Sequence, residues 1–90
     1  MLEAVKLSMG ITVDEYDHEI QDLIEAGLND LELAGVDTSR RQHPLIIQAV
    51  KTYCRAHFHS PADYSNLKAC YDEQKAQLMM GSGFTDWSVE

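Results

Sequence analysis

"YDHEIQDLIEAGLNDLELAG", residues 16–35, decides the fold class. Tyr16, Ile20, Leu23, Ile24, Gly27, Leu28, Leu31 and Ala34 recur at the three-and-four spacing of one helical face. The opposite face carries Glu15, Glu19, Asp22, Glu25, Asn29 and Glu32. Upstream, Thr12 with Glu15 three residues later fits a capping box, and Asp14, Glu15 and Asp17 place negative charge at a helix N-terminus. Gly35 supplies the stop. The spacing predicts a helix of about 20 residues, roughly 30 Å long.

Working outward, Leu2, Val5 and Met9 share one side of a short helix that Gly10 ends. On the other side, "VDTSRRQ", residues 36–42, reads as a polar loop exposing Arg40 and Arg41. "HP", residues 43–44, opens a third helix, because proline suits the first helical position. Ile46, Ile47, Val50, Cys54 and Phe58 form its main apolar face, and Leu45, Ala49 and Tyr53 add a second. A helix apolar over most of its circumference is central to its fold. Lys51 and Arg55, an i,i+4 pair, mark its exposed side.

Ser60 as N-cap, Pro61 at the first position and Asp63 at the third then start a fourth helix. Tyr64, Leu67, Tyr71, Gln74 and Leu78 carry helical spacing to about Met80, where "GSG" breaks it. No segment alternates with period two. The expected fold is all-α: a small antiparallel bundle of a short N-terminal helix and three longer ones. Residues 1–80 form the bundle domain, and residues 81–90 form a flexible, extended C-terminal tail.

Ninety residues make one small domain. A chain of that size buries only ~60–65% of its unfolded-state surface, and oligomerisation is a common remedy. Its longest apolar runs, such as "PLII" at 44–47, are too short to cross a bilayer. The first residues lack the apolar core of a signal peptide, which points to the cytosol and to free thiols at Cys54 and Cys70. The net charge of −8 argues against a duplex-DNA binder that works by neutralising phosphates. Charge is also uneven: residues 1–37 hold ten acids against Lys6 alone, whereas residues 38–90 hold five acids and six bases. The acidic face is either a solvated surface that keeps the protein soluble, or one half of an attraction between neighbouring copies.

"KTYCRAHFHSPADY", residues 51–64, gathers Cys54, His57 and His59 and raises the question of a metal site. Structural zinc needs four converging ligands, usually in pairs from two segments. Here Cys70 stands alone and His43 lies at the far end of the same helix. Cys54 falls on the apolar stripe, where a free cysteine behaves as a small hydrophobe. His57 and His59 fall in the last helical turn, where an imidazolium complements the dipole. A cysteine–histidine nucleophile would need an orienting group and an oxyanion pocket, and "GSG" lacks the features of a phosphate loop. The reading is therefore no enzyme, no metal and no cofactor. The tail offers more: Phe84, Trp87 and Val89, among Thr85, Asp86 and Ser88, either fold back onto the bundle or dock on a partner.

Taken in order, "VKLSMGI" (5–11), "YDHEIQDLIEAGLNDLELAGV" (16–36), "HPLIIQAVKTYCRAHFHSPADYSNLKACYDEQKAQL" (43–78) and "GFTDW" (83–87) resemble the small head–tail connector, or adaptor, proteins of long-tailed bacteriophages. The most telling piece is "YDEQKAQL" just before a short aromatic tail. The resemblance implies a helical, non-enzymatic virion protein that assembles in the bacterial host cytoplasm. Its copies would form a homo-oligomeric ring of about a dozen under the portal protein at the neck, closing through a head-to-tail contact. The ring would extend the DNA channel, let DNA pass without specific binding, and present a surface to the next neck, stopper or tail protein. The resemblance also implies a portal contact at Phe84, Thr85, Asp86, Trp87, Ser88 and Val89. Glu15, Glu19, Asp22, Glu25, Arg40, Arg41, Lys51 and Arg55 are the candidates for ring contact or channel charge, an acidic channel lining being one use of the first four. The runner-up is a small regulatory helical module, such as a helix-turn-helix DNA binder, against which "HPLIIQAV" is too apolar to read a groove.

Overall fold

The computed structural model describes residues 1–40, 43–59 and 61–80. Four α-helices follow in order: α1 (Leu2–Met9), α2 (Asp17–Leu33), α3 (Pro44–His57) and α4 (Tyr64–Met80), with a short 3₁₀ turn at Thr38–Arg40. This is the expected all-α fold of one short and three longer helices. The "GSG" break and the whole tail, 81–90, lie outside the described residues, as do Arg41 and Ser60.

The central role predicted for α3 holds: it packs on α1, α2 and α4. Ile46, Ala49, Val50 and Cys54 of α3 are fully buried, together with Val5 of α1 and Ile20, Ile24 and Leu31 of α2. From α4, Leu67, Tyr71 and Leu78 close the core, at the spacing that the sequence shows. Leu45, assigned to a second apolar face of α3, is instead 51% exposed.

Glycine ends two helices as expected. Gly10 takes φ 71°, and the Ile11 and Gly10 N–H groups reach back to the Lys6 and Leu7 carbonyls. Gly35 takes φ 94°, with Val36 N–H on Leu31 O and Gly35 N–H on Glu32 O. A left-handed residue after the helix turns the chain so that the last free carbonyls find donors, and glycine adopts it without a Cβ penalty. The second turn also drives Val36 into the core, 1% exposed. What reads as a polar loop is thus pinned by Val36 and by buried Thr38, whose hydroxyl donates to the Glu32 carboxylate.

Three local readings need correction. The capping box at Thr12 and Glu15 does not form; α2 begins at Asp17 after Tyr16, with no side-chain cap, and runs 17 residues. Its N-terminal carboxylates are engaged by Lys6 of α1 instead. Pro61 is not the first residue of α4, which starts at Tyr64, the Leu67 N–H donating to the Asp63 carbonyl. His59 lies beyond α3, which stops at His57, and adopts a left-handed φ of 56°. By contrast Pro44 takes the first position of α3 as expected, where His43 Nδ1 accepts from Leu45 N–H as the cap.

Candidate interaction surfaces

The cysteine–histidine stretch resolves into side chains that diverge. Cys54 is fully buried, and its thiol is pushed up to about 12 by desolvation, so no thiolate forms there at neutral pH. His57 packs on the Tyr53 ring at a centroid distance of 4.3 Å and faces Tyr64 at 5.8 Å. His59 stacks on Phe58 at 3.9 Å, meets Tyr16 edge-on at 5.2 Å, and puts Nε2 3.6 Å from a Glu19 carboxylate oxygen. The stretch is an elbow that pins the end of α3 to the start of α2. Among the described residues no group of three or more metal-ligating side chains converges.

Polar chemistry inside the bundle goes into two latches. In one, the buried Lys6 ammonium reaches Asp17 Oδ1 at 2.7 Å and Asp14 Oδ1 at 3.2 Å, which ties α1 to the entry of α2. The close Asp17 carboxylate is the main cause that holds Lys6 above the usual lysine range. In the other, Asp30 of α2 accepts from the Tyr71 hydroxyl at 2.6 Å and from Lys75 Nζ at 3.0 Å, both on α4. Burial alone would raise the Asp30 carboxyl, but these two hydrogen bonds and the lysine charge outweigh it and hold it below the carboxylate range. Sequence reading missed both latches. Lys6, alone among ten acids, is the one signal that pointed to the first.

The outside is organised by charge. Glu15, Glu19, Asp22, Glu25 and Glu32 are all exposed, as their spacing implies. On the other side of the molecule Arg55 is exposed and Lys51 half-buried. Lys6, Lys68 and Lys75 each hold a carboxylate at 3.2 Å or less, whereas Lys51 and Arg55 hold none among the described residues. Two recesses flank that strip. One, of about 310 Å³, lies where Met9, Ile11, Phe58 and Leu67 surround Arg55. The other, of about 190 Å³, is lined by Leu45, Gln48, Gln74, Gln77 and Leu78. Lined mainly by apolar and amide side chains and without a converging acid–base set, they suit protein contact better than chemistry. Arg41 and the tail residues Phe84, Thr85, Asp86, Trp87, Ser88 and Val89 fall outside the described residues. Arg40 closes the 3₁₀ turn.

No helix among the described residues is long and apolar enough to cross a membrane. A family model described as phage connector protein matches residues 1–83. That is a structural, non-enzymatic kind of protein, a component of the phage particle. No curated protein and no solved structure matches the chain.

Proposed function

The chain belongs to the phage connector family, and from that premise we propose that its copies assemble into a ring at the neck of the virion, docked under the portal protein. The ring continues the DNA channel and offers its far side to the next neck or tail component. The family match over residues 1–83 carries this reading. Physical features of the subunit support it. A 90-residue bundle leaves much apolar surface uncovered, Leu7 at 82% and Leu33 at 88% exposure included, and neighbours in a ring would cover part of it. With a net charge of −8, the subunit would not grip passing phosphates, so DNA slides rather than binds.

The C-terminal segment Phe84 to Val89 is the proposed portal contact, because its Phe and Trp sit among polar residues beyond the last helix. The test is mass in solution and negative-stain imaging, alone and with portal protein. Rings, or a monomer that forms rings on portal, are expected; a compact monomer indifferent to portal would overturn the reading. Deleting residues 84–90 should leave a helical, cooperatively melting bundle that no longer binds portal. Unfolding of the truncated chain would instead place Phe84 and Trp87 in the bundle's own core.

A further inference from the structure

We propose that the contact between copies, on the ring reading above, is the acidic outer face of α2 seated on the Lys51/Arg55 strip of α3 in the next copy. The geometry turns on one close approach. Gly27 of α2 lies against Tyr53 of α3, a Cβ at Gly27 falling 3.1 Å from the Tyr53 ring. An α-helix advances about 100° per residue. Asp22 and Glu25 are therefore turned about 140° and about 160° away from the side of α2 that meets α3. On α3, Lys51 and Arg55 each stand two residues from Tyr53, about 160° from the side that meets α2. The two charged faces point in opposite directions across the bundle, acidic on one flank and basic on the other.

They also stand at matching heights. With α2 and α3 antiparallel and a rise of about 1.5 Å per residue, Glu25 and Arg55 both lie about 3 Å to the same side of the Gly27–Tyr53 contact. Leu33, an exposed apolar knob on the acidic flank, lies about 9 Å to the other side. Leu45, which with Leu78 and three glutamines forms the upper recess, lies about 12 Å to that same side. One neighbour set beside the other with its helices in the same direction thus brings Glu25 to Arg55 and Leu33 to the Leu45/Leu78 recess together. Asp63 lines the lower recess beside Arg55 without an ion pair to it among the described residues, and Glu25, which accepts from Gln21 Nε2 at 3.1 Å on its own helix, would share or exchange its existing contacts on meeting Arg55.

Complementary faces on opposite flanks cannot pair by a two-fold axis, which would set acid against acid. They pair head to tail, and faces close to opposite make a closed ring only with many members. The acidic face of α2 is then consumed between subunits and does not line the channel.

Cross-linking tests this in the full chain. Glu25→Cys and Arg55→Cys are combined in a Cys70→Ser background, Cys54 staying in the core, and the assembled protein is oxidised with copper–phenanthroline. A ladder of multimers from the double variant is expected, with single variants staying monomeric and their mixture stopping at dimers. Dimers from one single variant alone would show a symmetric contact and overturn the proposal. So would a ladder-free gel from protein that light scattering shows to be assembled. If neither wild type nor variant assembles, alone or on portal protein, the ring reading falls along with this one. A charge swap gives an independent reading. Lys51→Glu/Arg55→Glu and Asp22→Lys/Glu25→Lys should each stay helical by circular dichroism yet fail to assemble alone. Mixed one to one, they should assemble again, because each then offers what the other lacks; failure of the mixture would overturn the proposal.

Discussion

The Tyr71 hydroxyl of α4 donates a 2.6 Å hydrogen bond to Asp30 of α2, across a bundle in which α3 lies between those helices. Lys75 adds its ammonium to the same carboxylate oxygen and lies 5.4 Å from the Tyr71 ring centre. The bond ties α4 to α2, and Leu67 and Leu78 are the other buried side chains of α4. Tyr71→Phe keeps the buried ring and removes only the donor. A hydrogen bond to a carboxylate is worth about 1.5–3 kcal/mol, and partial exposure of Asp30 lowers that to about 1 kcal/mol, read as a drop in urea midpoint. The carboxyl is held low in the folded chain, so its contribution is present above the ordinary carboxylate pKa of about 4 and is lost as pH falls through the folded value. Stability should therefore decline on acidification below about pH 4, and Asp30→Asn should flatten that part of the profile.

Gly27 predicts a steric limit. A Cβ there would sit 3.1 and 3.2 Å from two atoms of the Tyr53 ring, closer than ordinary van der Waals contact. Alanine adds helix propensity of up to about 1 kcal/mol while pressing on the ring, so the two effects offset. A branched side chain cannot be accommodated without moving Tyr53, which packs on both His57 and Tyr71. Gly27→Val should destabilise by about 1–3 kcal/mol in thermal or urea melts and should weaken assembly less than it weakens the fold.

How far the sequence led follows from the same residues. Of the positions that the period placed inside in α2 and α3, Ile20, Ile24, Gly27, Leu28, Leu31, Ile46, Ala49, Val50 and Cys54 are buried, Tyr16, Leu23, Ala34, Ile47, Tyr53 and Phe58 are partly buried, and Leu45 at the upper end is exposed. Hydrophobic period reports burial against neighbours in bulk, and α3, surrounded by three helices, leaves little room for error. Helix starts were harder. A capping box is a local pattern, but Thr12 and Glu15 form none, and the helix entry is instead met by Lys6 from another helix, which pairs with Asp14 and Asp17. The α4 start moved three residues past Pro61, because proline permits a first turn without requiring one. The Asp30–Tyr71 bond spans 41 residues and had no local sign at all. The charged residues of the flanks were legible one by one, but their placement on opposite sides appears only when Gly27 is seen against Tyr53.

Cys54 and Cys70 should behave as opposites. Cys70 is exposed, and Cys54 is buried with its thiol pushed up to about 12. In the native protein one thiol per chain should react quickly with a disulfide reagent, and the second only at the rate of unfolding; Cys70→Ser should abolish the fast phase. An unfolded cysteine ionises near about 8.5, so between that pH and the folded value the unfolded state gains a charge that the folded state refuses. Stability should fall as pH rises through this window, and Cys54→Ala should reduce the slope while lowering stability at neutral pH through the lost packing.

Lys6 holds the short first helix, and its removal should free that helix before anything else. The ammonium is buried, yet it bridges Asp14 and Asp17 at the entry of α2, where no side chain caps the helix. Lys6→Met keeps most of the apolar stem in place but leaves two carboxylates near each other without their shared cation. Val5 then becomes the main tie between α1 and the bundle, with Leu2 and Met9 only partly buried. The expected result is faster amide exchange across residues 2–16, with protection in α2 and α3 nearly unchanged. Uniform loss of protection over all four helices would show that the latch belongs to the global fold instead. The pKa of Lys6 is raised in the folded chain, so this stabilisation is complete below the ordinary lysine value of about 10.4 and is lost only as pH rises through the raised one. Local opening of α1 should accordingly stay constant through neutral pH and increase only in strong alkali, and Lys6→Met should lack that alkaline step.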